Sequence, residues 1–288
     1  MLESAVGRLR AQIGDSVFRR VAGPDGAAAR DQIHGAAGER WFDDDRPIRQ
    51  VHGDASMFIG GLRALLLQSL HPLAMSAVAA HSGYKGDPWG RLQRTSRFLA
   101  VTTFGTAPDA QEMVDRIRAV HARVVGVAAD GRPYAASDPH LLGWVHVAEV
   151  DSFLRAYVRY GAGELDADGR DAYVADAARV AIALGVTDPP TTERELAERL
   201  DAYRPELAGT REAREAARFV LLRAPVPVAA RAPYGLLAAA AVAMLPRWAR
   251  WPLRLPYLPV AEATVVRVAG EQVVRGIRWA MPAPPIRS

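Results

Sequence analysis

Apolar residues along this chain recur at three- and four-residue intervals far more often than at alternate positions, a pattern that predicts helices and few strands. The strongest predicted helix runs from about Asp54 to Ala80. There Met57, Leu62, Leu65, Leu66, Leu70, Leu73 and Val78 are apolar nearly all round, as expected of a central buried helix, and Pro72 should kink or divide it. Asp87-Pro88 supplies an N-cap and an N1 proline for a helix to about Thr102, and Ala107-Pro108-Asp109 opens the next, ending near Gly126. Asp138-Pro139 caps a helix reaching about Tyr160, and residues 168–184 form an Ala-rich helix ending at Gly185. Thr192 with Glu195 makes a capping box for a helix through Tyr203. An amphipathic helix over 209–222 and a very apolar one over 234–250 follow.

The predicted class is therefore all-α, with one principal helical domain at residues 47–250. A lead-in segment, residues 1–46, holds a short helix, the Gly-Pro-Asp-Gly turn at 23–26 and the acidic loop Asp43-Asp44-Asp45. A Pro/Arg-rich tail, residues 251–288, allows a last helix at about 262–281.

Composition narrows the chemistry. Half of the 288 residues are apolar, enough for a sizeable core. Lys85 is the only lysine among 36 cations, and no basic stripe interleaved with aromatics appears, so nucleic acid is not an expected partner. The absence of cysteine excludes disulfides, thiolate nucleophiles, iron–sulfur ligation and thiolate-ligated haem. Any metal must be held by histidine and carboxylate. Residues 1–12 mix Glu3, Arg8 and Arg10 with short apolar stretches and carry no secretory apolar core, so a cytoplasmic protein is expected. The weakly charged stretch at 234–246 is shorter than the ~20 residues that span a bilayer.

Two segments hold the candidate chemistry. Arg91 and Thr95 share one helix face at i,i+4, and His121 lies on the apolar stripe Met113, Ile117, His121, Val124 of the following helix. An inward imidazole opposite a cation and a hydroxyl suits an iron cofactor with a polar open side. His121 would be an axial ligand, while Arg91 and Thr95 would serve a propionate and bound oxygen. The plain alternatives are a core histidine satisfied by a backbone carbonyl and, since Arg94 and Arg97 lie alongside, a solvated helix face. His140 and His146 stand about 240° apart around their helix, poorly placed to chelate one metal together, with His140 outward and His146 inward. His71 and His81 read as capping or supporting groups. There is no HExxH, P-loop, strand-linked GxGxxG or GxSxG elbow.

Ordered blocks across about a hundred residues resemble a known family, the rubber oxygenase/MpaB-type oxygenases, which include the latex-clearing proteins. The blocks are His52-Gly53-Asp54, Gly60 to Gln68 with His71-Pro72, His81-Ser82, Asp87-Pro88-Trp89-Gly90-Arg91 through Thr95, Val120-His121-Ala122-Arg123-Val124-Val125-Gly126, Gly131-Arg132-Pro133-Tyr134 and Trp144-Val145-His146. The resemblance implies haem b sandwiched between core helices, with His121 as proximal ligand. It also implies that Arg91 and Thr95 form an R-x-x-x-T element beside the haem, Arg94 being the basic residue within that element, and that His146 is a further cofactor-side histidine. The chain departs from the family at Leu73-Ala74-Met75-Ser76, where polymer-cleaving members are thought to carry a carboxylate.

The expected function is a haem b-dependent oxygenase or oxidase that uses O2 or a peroxide on a small to medium apolar substrate. Two other readings stand beside it. One is a non-catalytic haem or lipophile carrier with the same fold. The other is an interaction protein that docks on a membrane surface or partner through the 234–246 helix with Trp248 and Trp251. A homo-oligomer is compatible with all three.

Overall fold

The computed structural model describes residues 2–281 except Tyr84, and the side chains of these except for residues 2–5 and Leu9. Residues 282–288 of the Pro/Arg-rich tail lie outside the described residues. The chain runs α1 (Leu2–Ala22), α2 (Gly26–Gly35), α3 (Pro47–His52), α4 (Met57–Gln68), α5 (Pro72–His81), α6 (Pro88–Phe104) and α7 (Ala107–His121). After a hairpin of β1 (Val125–Val127) and β2 (Pro133–Ala135) come α8 (Pro139–Tyr160), α9 (Ala167–Leu184), α10 (Glu193–Ala202) and α11 (Arg211–Arg218). The chain closes with α12 (Val228–Ala243), α13 (Arg247–Leu253), the single turn α14 (Pro259–Ala261) and α15 (Arg267–Ala280). The architecture is a single all-α domain with one small two-stranded sheet.

Local chemistry sets most of these boundaries. The side chains of Asp87, Thr106, Asp138, Asp166, Thr192 and Thr210 each accept a hydrogen bond from an amide of the first turn that follows. Donors that the helix cannot satisfy are thereby paired. Glu195 turns its carboxylate back to the Thr191 amide at 2.8 Å, one residue beyond the usual reach of a capping box. At the other end of α9, Gly185 adopts φ 108°, a left-handed conformation that costs glycine little. The predicted long helix over 54–80 is divided at its proline: α4 and α5 meet at 108°, with His71 as N-cap and Pro72 opening α5.

The helix expected to reach Gly126 stops at His121. Val124, Val125 and Val127 are β-branched and favour extended backbone, and β1 pairs antiparallel with β2 in the register Val125–Ala135, Gly126–Tyr134 and Val127–Pro133. A side chain at Gly126 would collide with the Tyr134 ring, so the pairing depends on glycine there.

The core is built on α4 and α8. Gly60 lets them approach: a Cβ there would meet Phe153 Cδ1 at 2.8 Å and Ala156 Cβ at 3.2 Å. Leu66, Leu67, Trp144, Val147, Leu154 and Tyr157 fill the surrounding core. Within it Arg63 and Asp151 form an ion pair at 2.7 Å. Arg63 also donates to Ser152 Oγ at 2.7 Å and to the Met244 carbonyl at 3.0 Å, joining α4, α8 and the end of α12. The last helix packs on α12 and α1, and Arg278 grips Asp54 with two nitrogens at 2.9 and 3.0 Å. No single helix among the described residues is long and apolar enough to cross a membrane, although α4–α5 and α12–α13 could do so as bent pairs by length and composition.

Replacing Arg63 by leucine should destabilise the fold by ~3–5 kcal/mol, because Asp151 would lose its buried partner and keep only the partly exposed Arg155 beside its charge. Urea unfolding monitored by circular dichroism measures this, and a loss below about 1 kcal/mol, the range of an exposed pair, would contradict it.

Candidate functional site

Helices α6 and α7 are joined by only Gly105 and Thr106 and pack on each other as a helical hairpin. Arg91 lies in the first turn of α6, Thr95 one turn on near its middle, and His121 ends α7, so Arg91 and His121 lie toward the same end of the hairpin. Arg91 precedes the Gly105–Thr106 turn by roughly 20 Å of helix, and His121 follows it by a similar length. The hairpin therefore carries the imidazole on one helix and the guanidinium and hydroxyl on the other.

His121 is half-buried, and desolvation lowers its pKa, which favours the neutral imidazole that binds metals. Its Nδ1 is buried without a hydrogen-bond partner among the described residues, an orphaned polar atom of the sort a bound group would satisfy. Arg91 is held by Ser82 Oγ at 2.9 Å. Thr95 is exposed on α6. Arg94 turns to Asp87 at 3.3 Å, with both side chains largely exposed.

His146 lies on α8 within a different polar group. It is partly buried. Burial lowers its pKa to about 4, and its Nε2 has no partner among the described residues. Glu149, one turn on, is likewise partly buried. Desolvation pushes its pKa up to about 7, opposed by a hydrogen bond from Gln68. Leu65 of α4 keeps 38 % exposure although Ala64 and Leu66 beside it are buried. On the far side, His52 Nδ1 meets Thr103 Oγ1 at 2.8 Å and Tyr173 packs edge-on against the His52 ring, which burial holds neutral with a pKa of about 3. Glu149 is near enough to Tyr173 to raise the phenol's pKa further.

The residue reading of the chain overlooked Glu149. Its signal was a lone acid one turn from His146 in the apolar run Val145-His146-Val147-Ala148-Glu149-Val150. The segment Leu73-Ala74-Met75-Ser76, which carries no acid, lies in α5, with Met75 buried against Ala216 in an apolar cluster. His71 caps α5 and His81 reaches the Tyr134 hydroxyl at 3.2 Å. Trp251 is exposed and Trp248 packs partly buried against the core.

Glu149 sets a pH prediction. Its folded-state pKa lies above its unfolded value, so its contribution to stability is full below about pH 4.5 and is lost as pH rises through about 7. The stability of Glu149→Gln relative to the native chain should therefore rise by roughly 3 kcal/mol across that window. Urea unfolding of both at pH 5 and pH 8 tests this, and parallel pH profiles would sink it.

A family model described as the catalytic domain of ER-bound oxygenase mpaB/B'/rubber oxygenase matches residues 49–279. No curated protein and no solved structure matches the chain. The matched region begins just before His52 in α3, takes in the α6–α7 hairpin and the enclosed polar groups of α8, and ends within α15. The chain belongs to the mpaB/rubber oxygenase catalytic-domain family, a family of oxygenases.

Proposed function

We propose that this protein is a haem b-dependent oxygenase or oxidase with iron held by His121, acting with O2 or a peroxide on a small to medium apolar substrate. The observation that supports the reading is the buried, unpartnered Nδ1 of His121 on α7, the helix that packs against the one carrying Arg91 and Thr95. When bound, the haem supplies the redox chemistry that side chains lack.

The chain's own residues would do the rest. His121, whose neutral form desolvation favours, would offer a ring nitrogen to hold the iron. Arg91, steadied by Ser82, presents a guanidinium to a propionate, and Arg94 adds positive charge nearby. Thr95 offers a hydroxyl donor. Glu149, its pKa raised by burial to about 7, holds a proton close to neutral pH. The lack of an acid in Leu73-Ala74-Met75-Ser76 argues for a reaction other than polymer cleavage.

A second reading, a non-catalytic haem carrier, draws support from His146, whose Nε2 is also buried and unpartnered. A second imidazole on the iron would close its sixth position.

The optical spectrum after haemin reconstitution separates these readings. The native protein should show a Soret band that shifts with CO or cyanide, and His121→Ala should retain much less haem. Equal haem content in the two would refute the ligand assignment, and an unshifted six-coordinate spectrum would favour the carrier.

A further inference from the structure

Away from the α6–α7 hairpin, three residues far apart in sequence converge at the bend between α4 and α5. His71 caps α5, His140 lies in the first turn of α8, and Glu206 ends the short turn Arg204–Glu206 that follows α10. His140 Nε2 lies 2.9 Å from both carboxylate oxygens of Glu206, and His71 Nε2 lies 3.4 Å from one of them. The three ligand atoms all fall within 4.8 Å of one another. We propose that His71, His140 and Glu206 form a binding site for a divalent first-row transition metal ion of the Zn2+ type, separate from the residues assigned to haem.

The donor set selects the ion. Two imidazoles and one carboxylate suit Zn2+ and its neighbours, whereas Mg2+ and Ca2+ prefer oxygen ligands throughout. At Zn–N and Zn–O distances of about 2.0–2.2 Å, tetrahedral ligand atoms stand roughly 3.4 Å apart. The His71–Glu206 separation of 3.4 Å already matches, the His140–Glu206 separation of 2.9 Å is shorter, and all three ligand atoms lie within 4.8 Å of one another. His71 is the fixed member, buried beneath Trp144. Side chains of His140 and Glu206 remain 55 % and 40 % exposed, leaving the site open to solvent and a coordination position free for water. Tyr203 orients His140 by stacking on its ring at 4.8 Å and donating to its carbonyl at 2.8 Å.

Two local features oppose the ion. Arg132 is close enough to act electrostatically on both His71 and Glu206. His71 Nδ1 accepts the Ala74 amide at 3.5 Å. Metal on Nε2 would place the ring proton on Nδ1 and exchange that long contact for coordination.

Zinc titration of the tag-free, chelator-treated full chain at pH 7.5, followed by calorimetry and thermal melting, tests the site. One equivalent should bind with micromolar or tighter affinity and raise the melting temperature, and the Ala74 amide resonance should shift. His140→Ala and Glu206→Gln, at exposed positions that should leave the fold intact, should each weaken binding at least tenfold. His81→Ala, which removes an imidazole elsewhere, should bind as the native chain does. Absence of saturable binding with Zn2+ in excess, or equal affinity in His140→Ala, would overturn the proposal. The readout needs no haem, so it is independent of the oxygenase reading.

Discussion

A single buried ion pair holds the centre of this molecule. Arg63 and Asp151 are each 4 % exposed and meet at 2.7 Å between α4 and α8. Taking two charges out of water is expensive, and their mutual attraction offsets the cost only when the remaining donors are also satisfied. The chain meets that condition through Ser152 and the Met244 carbonyl on one side and Arg155 beside Asp151 on the other. Because Arg63 binds groups from α4's two principal neighbours at once, the pair sets the rotation of α4 about its own axis. That rotation decides which of its side chains enter the core.

The functional region follows from that placement. Gly60 brings α8 against α4, and Gln68 of α4 reaches the Val145 carbonyl and Glu149 on the segment of α8 that carries His146. The α6–α7 hairpin carries Arg91 and Thr95 on one helix and His121 at the end of the other. The two groups differ in electrostatic character. Arg91, Arg94 and Thr95 are polar and partly solvated, whereas His52, His146 and Glu149 are held neutral or near neutrality by desolvation. A protein that leaves nitrogens of two buried histidines unpartnered sacrifices stability there, and ligand binding is a physical reason for retaining them.

Distant segments are tied in by similar means. Arg278 clamps Asp54 and the Tyr160 carbonyl, so α15 is fastened to the His52-Gly53-Asp54 segment. Arg250, buried, pairs with Glu262 at 2.6 Å and donates to the carbonyls of Ala243 and Leu245, closing the end of α12. Arginine suits these positions because one planar guanidinium can satisfy several acceptors in fixed directions.

Much of this was legible in the sequence where the cause is local. Asp87-Pro88, Asp138-Pro139, Thr192 with Glu195, Pro72 and Gly185 act within a few residues of themselves, and each marks an observed helix boundary. The ordered motif blocks likewise identified the family. The stop of α7 at His121 was harder to read, because the valines after it form a strand only by pairing with residues 133–135. Glu149 was visible as an acid in an apolar run, but its enclosure depends on how α4 and α8 pack. The approach of His71 and His140 to Glu206 spans separations of 135 and 66 residues and left no local trace. Sequence by itself determined the helices, their caps and the kinds of side chain each face carries, since these follow from short-range backbone and solvation preferences. Only the tertiary structure decided which of those side chains share a space, because that depends on the packing of helices distant along the chain.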